Sequence, residues 1–167
     1  MSSDVIPIVD VFAGPGGLSE GFSSILHQDG TRAFNVCVSI EKNAFACETL
    51  KLRAFFRQFQ PDKVPDTYYD YISGKVQRQA LMDSETWSSA ENEIHCATLG
   101  ETPAEYVDQW ISNAIDGSDP WILIGGPPCQ AYSVVGRSRM RNSDPVGFEQ
   151  DKRHFIDFLR IYFHDDA

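Results

Sequence analysis

One cysteine in this sequence stands in a setting that suits a chemical nucleophile. Cys129 follows the apolar run 122–124, two glycines and two prolines. The run predicts a buried strand, and the glycines allow backbone to approach a ligand closely. The prolines have fixed φ angles and no N–H donor, so the thiol is expected to be held firmly at a strand's carboxyl end. Once deprotonated, such a thiol can attack an electrophilic carbon; a buried cysteine after a turn is the alternative.

A glycine-rich segment near the start of the chain predicts a ligand-binding turn. Residues 6–12 are apolar and β-branched, and the loop 13–17 that follows contains three glycines. A helix is predicted next, ending before Gly30. Its first N–H groups and the glycine backbone can bind polar or anionic ligand atoms, although a simple turn is the alternative. The apolar face expected to be buried on this helix comprises Leu18, Phe22, Ile25 and Leu26.

The next strand places an acid where nucleotide-binding folds use one. Residues 34–40 are apolar and end at Glu41, within the interval of roughly 20–30 residues at which such folds place a ribose-binding carboxylate. An exposed carboxylate at the strand end is the alternative. Asn43 is expected to cap the following helix. The side of that helix predicted to be buried comprises Phe45, Leu52, Phe55, Phe56 and Phe59.

The rest of the chain completes an alternation of strands and helices. Residues 62–92 give only weak helical patterns, 93–99 predict a short third strand, and Thr102 is expected to cap a helix. Residues 121–126 predict the fourth strand. The pattern predicts a doubly wound α/β sheet, with the glycine loop and the thiol both at strand carboxyl ends and a ligand between them.

Composition narrows the function classes. The chain has 167 residues and 42% hydrophobic residues, which suits one globular domain. It contains no apolar run of about 20 residues and no basic leader, so a cytoplasmic protein without membrane association is expected. Its four cysteines lack metal-ligand spacing, so neither a metal site nor a disulfide is predicted. The net charge of −10 disfavours this chain as the main nucleic-acid clamp.

Two segments carry a resemblance to a known family. Residues 125–136, Gly-Gly-Pro-Pro-Cys-Gln-Ala-Tyr-Ser-Val-Val-Gly, resemble the catalytic motif of the DNA cytosine-5 methyltransferases. Residues 10–22 resemble the first motif of the same family, which binds S-adenosylmethionine. The resemblance implies a Rossmann-like methyltransferase fold, truncated after about four strands. It implies that residues 1–167 are the N-terminal portion of the catalytic domain, without the target-recognition domain.

The resemblance also implies a reaction and a set of residues. The thiolate of Cys129 adds to carbon 6 of a cytosine turned out of double-stranded DNA, and carbon 5 then takes the methyl group of S-adenosylmethionine. Glu101 stands where the family has aspartate. The cofactor-binding residues implied are Phe12, Ala13, Gly14, Gly16, Gly17, Leu18, Glu41, Lys42, Glu101 and Pro128. The substrate-binding residues implied are Pro128, Gln130 and Ser133. Arg137 and Arg139 lie in a segment free of acidic residues and are predicted to contact phosphates; a solvated loop is the alternative.

Activity is expected to require the C-terminal half of the enzyme. This chain is then expected to be either a truncated piece of a longer enzyme or one half of a split enzyme whose other half is a separate chain. Restriction-modification is one expected role. Two alternatives stay open: a cofactor-binding regulatory module without catalysis, and an RNA cytosine methyltransferase on the same scaffold.

Overall fold

A four-stranded parallel sheet organises the protein. The computed structural model describes residues 5–60 and 62–127, and the fold is given for these. The strands are β1 (Ile6–Val11), β2 (Phe34–Glu41), β3 (Ile94–Cys96) and β4 (Ile122–Gly125). Their order is β3-β2-β1-β4, and each neighbouring pair is parallel. The chain therefore reverses its direction of winding between β1 and β4, which is where open α/β sheets bind ligands.

Helices cover both faces of this sheet, as expected for parallel strands with apolar runs. They are α1 (Gly17–Ser23), α2 (Ala44–Arg57), α3 (Asp66–Ile72), α4 (Gln79–Met82), α5 (Glu85–Glu93) and α6 (Ala104–Ile115). On one face, Val107 and Ile111 of α6 pack against alternate residues of β1 and β2. A second core joins α2 to α4 and α5 around the fully buried Trp87. The predicted doubly wound α/β architecture is confirmed.

The predicted buried faces of the first two helices were partly wrong. Leu18, Ile25 and Leu26 are exposed, because α1 has only seven residues and turns Ser19 and Ser23 toward the sheet. In α2 the predicted cap is confirmed, since Asn43 Oδ1 accepts the N–H groups of the residues two and three positions later. Phe45, however, is 86% exposed. It lies in the first turn, away from the buried side of α2, which comprises Cys47, Leu50, Ala54 and Phe55.

The segment between α2 and β3 and the start of α6 also differ from expectation. Helix α5 was not predicted, since only Trp87, Ala90 and Glu93 of its nine residues are buried. Helix α6 begins after Pro103, which occupies the cap position in place of the predicted Thr102. The Thr102 N–H instead donates to the carbonyl of Thr98 in the preceding turn. Within the described residues, no helix is both long and apolar enough to cross a membrane.

Candidate functional site

A cleft opens at the carboxyl ends of the four strands. Its volume is about 270 Å³. Each of the four strands contributes to it through the residues at its end or just after it. The lining residues are Phe12 and Gly14 after β1, Ile40, Glu41 and Lys42 at β2, Ala97, Thr98 and Leu99 after β3, and Gly126 after β4. The cleft therefore coincides with the switch point between β1 and β4.

The glycine loop forms one wall of the cleft, and two of its glycines, Gly14 and Gly16, have different roles. Gly14 has φ +55°, and a Cβ added there would meet no described atom within 4 Å. This position is open toward the cleft. Gly16 has φ +88°, and a Cβ there would lie 2.8 Å from Leu50 Cδ2 of α2. Both backbone conformations favour glycine; at Gly16 close packing against Leu50 adds to this preference, whereas Gly14 leaves the backbone accessible to a ligand.

Phe12, which also lines the cleft, has a left-handed backbone too. Its φ is +54°, a conformation that L-residues other than asparagine and aspartate rarely adopt. Strain of this kind costs on the order of 1–3 kcal/mol and clusters at functional sites. The loop is held against β2 by the Ala13 N–H, which donates to the Ile40 carbonyl at 3.2 Å.

Glu41 ties the glycine loop to the end of β2. Its Oε2 accepts the Gly14 N–H at 2.8 Å, and its Oε1 accepts the Asn43 N–H at 2.8 Å. An ionised carboxylate has about four lone-pair positions. Two positions therefore remain for hydroxyl groups of a ligand, and the loop is shaped before any ligand arrives.

The two glycines before Cys129 have separate roles, which corrects the expectation that both approach a ligand. A Cβ on Gly125 would lie 2.3 Å from the carbonyl oxygen of Val11. Gly125 therefore serves the close contact between β4 and β1. Gly126 is exposed and lines the cleft.

The structure brings together part of the predicted set. Phe12, Gly14, Glu41 and Lys42 line the cleft. The side chain of Glu101 is exposed, and this residue is not part of the lining. The other predicted loop residues do not line the cleft; they are Ala13, Gly16, Gly17 and Leu18. Pro128, Cys129, Gln130, Ser133, Arg137 and Arg139 lie outside the described residues.

Residues 97–99 line the cleft but were not predicted as site residues. The only signal in the sequence was their position immediately after the third strand. Leu99 is buried, while Ala97 and Thr98 are partly exposed. They supply an apolar and hydroxyl-bearing wall opposite the glycine loop.

A buried charged cluster fastens α1, α2 and α5 beneath the glycine loop. Ser19 Oγ of α1 donates to Asp10 Oδ2 of β1 at 2.5 Å. Arg57 of α2 bonds Glu20 of α1 and, at 2.5 Å, Glu93 of α5. Burial raises the pKa of Asp10 to about 6 and that of Glu93 to about 7, although the Arg57 charge acts in the opposite direction on both. The cluster fixes the helix that follows the glycine loop.

The described residues were also compared with the side-chain groupings that hold metal ions. No group of three or more His, Cys, Asp or Glu side chains is arranged among them to hold an ion.

Comparisons with known proteins give three relatives of one kind. The chain is 31% identical to the Type II methyltransferase M.Bpa9945I of Bacillus paralicheniformis over 89% of its own length and 35% of that protein. It is 28% identical to the putative type II methyltransferase M.OihORF3336P of Oceanobacillus iheyensis, over 96% of its length and 26% of the relative. It is 27% identical to the Type II methyltransferase M.AquIA of Picosynechococcus sp., over 92% of its length and 42% of the relative.

These alignments span nearly all of this chain but between 26% and 42% of each relative. No protein-family model matches the chain. No solved structure matches it either. The chain is thus similar to one part of proteins named type II methyltransferases.

Proposed function

We propose that this chain is the cofactor-binding and nucleophile-bearing part of a type II DNA methyltransferase that methylates carbon 5 of cytosine. The observation that carries the proposal is the position of Gly126. This residue follows β4 and lines the same cleft as Gly14 and Glu41, and Cys129 comes three residues later in the sequence. Gly126, three positions before the proposed nucleophile in the sequence, therefore lies at the cleft that suits a methyl donor.

The cleft residues fit S-adenosylmethionine. Ile40 and Leu99 offer apolar surface for an adenine ring, and the free lone pairs of Glu41 can accept ribose hydroxyl groups. The open space at Gly14 allows the polar end of a ligand to reach backbone. When bound, this cofactor supplies an electrophilic methyl group. The similarity to three type II methyltransferases supports the same assignment.

Cys129 is proposed as the group that activates the cytosine. Carbon 5 of the intact aromatic ring is a poor nucleophile, and addition of the Cys129 thiolate to carbon 6 converts it into an enamine carbon. After methyl transfer, the proton at carbon 5 leaves and the thiolate is expelled from carbon 6. Since both ring carbons are stacked within a duplex, the base must first be turned out of it.

The charge of the chain limits its share of the DNA contacts. Its 14 Lys and Arg residues are outnumbered by 24 Asp and Glu residues, so the net charge of −10 opposes phosphate binding. We propose that Arg137 and Arg139 contact the DNA backbone near the flipped base, and that Pro128, Gln130 and Ser133 contact the base. The remaining phosphate contacts are assigned to a C-terminal half of the enzyme.

Product analysis tests the proposal. DNA from cells that express the protein in its natural form is digested to nucleosides and analysed by mass spectrometry. We expect 5-methylcytosine, its loss in the Cys129→Ser variant, and its retention in the matched Cys37→Ser variant. N4-methylcytosine or N6-methyladenine in its place, or 5-methylcytosine in transfer RNA alone, would contradict it. Titration calorimetry of the chain with S-adenosylmethionine tests the cofactor separately.

A further inference from the structure

Two cysteines outside the proposed chemistry face each other beside the cleft. Cys47 belongs to α2 and is 1% exposed, whereas Cys96 is the last residue of β3 and is exposed. Their sulfur atoms lie 2.6 Å apart, although 49 positions separate the two residues in the sequence. The two thiols are therefore held in contact by the fold. The Cys37 thiol, by contrast, contacts Asn35.

The pair adjoins the wall of the cleft. The backbone carbonyl of Glu41 accepts the Cys47 S–H at 3.2 Å and the Ala97 N–H at 3.0 Å. Ala97 directly follows Cys96 and lines the cleft. A change at the two sulfurs therefore acts on the segment that joins β3 to the cleft wall.

We propose that Cys47 and Cys96 form a reversible disulfide when the protein meets a peroxide, and that this redox-sensitive cross-link fixes the β3 side of the cleft. The site requires no ligand, so it stands independently of the proposed function. The sequence had predicted free thiols without disulfides, and the spacing of the two cysteines along the chain gave no sign of the pair.

The difference in exposure sets the order of the chemical steps. The thiolate of the exposed Cys96 attacks one oxygen of hydrogen peroxide, which gives a sulfenic acid and releases the other oxygen as water. Cys47 then attacks the Cys96 sulfur, and its proton leaves with the displaced hydroxide as a second water. Two thiols and one peroxide thus become one disulfide and two waters. Burial and the neighbouring Cys96 thiol raise the pKa of Cys47, so this thiol acts second, once its partner is activated.

The cross-link has a measurable effect on the protein. It closes a loop that spans 49 positions, which restricts the unfolded chain. A typical disulfide contribution in a chain of this length corresponds to a rise in Tm of roughly 5–10 °C. Joining α2 to β3 also slows local opening, so amide hydrogen exchange at residues 97–99 is expected to slow by about 5-fold or more.

The experiment uses the reduced chain treated with equimolar hydrogen peroxide. Free thiols are then alkylated, the protein is digested, and cross-linked peptides are identified by mass spectrometry. We expect a Cys47–Cys96 peptide, a higher Tm and slower exchange at 97–99, all reversed by dithiothreitol. The Cys37→Ser variant should behave like the wild type, and Cys96→Ser, at an exposed position, should fold but show no rise in Tm.

Three outcomes would overturn the proposal. In the first, Cys96 is oxidised to a sulfinic acid while Cys47 is found alkylated and was therefore still a free thiol. Another is a cross-link from Cys96 to Cys37, to Cys129 or to a second copy of the chain. The third is a peroxide-induced rise in Tm that persists in Cys96→Ser.

Discussion

The Glu41→Gln substitution tests the link between the cleft and its ligand most directly. The carboxylate accepts the Gly14 N–H and the Asn43 N–H, one on each oxygen, both at 2.8 Å. Glutamine keeps one carbonyl oxygen and replaces the other with an NH₂ group, so in either orientation one backbone N–H faces a donor. A hydrogen bond to a charged partner contributes about 1.5–3 kcal/mol. We therefore expect the free energy of unfolding to fall by about this amount.

The same change weakens the proposed ligand contact. If ribose hydroxyls donate to the Glu41 carboxylate, loss of the charge weakens the free energy of binding by about 1.5–3 kcal/mol. This corresponds to a Kd for S-adenosylmethionine that rises by about 10- to 150-fold. Disorder of the glycine loop around Gly14 would add to this loss and would not reverse its direction.

Calorimetric titration and urea unfolding of the same preparations measure the two effects. Glu105→Gln is the matched control, because Glu105 is an exposed glutamate in the first turn of α6 and does not line the cleft. It should leave Kd unchanged within about 2-fold and shift stability by less than about 0.5 kcal/mol. A Glu41→Gln variant with wild-type affinity and stability would refute the reasoning. Lost stability with unchanged affinity would confine Glu41 to holding the loop.

Three further perturbations test the packing that supports the cleft. Gly125→Ala places a Cβ against the Val11 carbonyl oxygen and should lower the free energy of unfolding by about 1–3 kcal/mol, as measured in urea. The control Gly21→Ala adds a Cβ in open space on α1 and should not destabilise the fold. Arg57→Met leaves the buried Glu93 without its cation and should lower the free energy of unfolding by about 3–5 kcal/mol. A loss below about 1 kcal/mol would contradict a buried ion pair between Arg57 and Glu93. Burial raises the pKa of Glu93 to about 7, above its unfolded value of about 4.3. Between these two values the folded chain binds more protons than the unfolded chain. The free energy of unfolding should therefore fall as the pH rises from about 4.5 to 7. Glu93→Gln should make this slope shallower and leave the contribution of Asp10, whose pKa burial raises to about 6; an unchanged slope in the variant would contradict the assignment to Glu93.

Local patterns predicted the elements on which the site depends. Strands β1, β2 and β4 were predicted nearly to their ends, because buried parallel strands are short apolar runs bounded by turn residues. The cap at Asn43 followed from its type and position. The helix faces were less predictable, as Phe45 shows. The side of a helix that is buried depends on the direction from which the sheet approaches it.

The amino-acid sequence by itself determined the α/β class, the glycine loop and the acid at the end of β2, since each depends on residues close together in the chain. Only the tertiary structure decided which distant segments meet: residues 97–99 across the cleft from Gly14, Arg57 between two buried or half-buried glutamates, and Cys47 against Cys96. Such contacts arise from the order and register of the strands, which bring together side chains tens of positions apart. No local pattern in the chain encodes that juxtaposition.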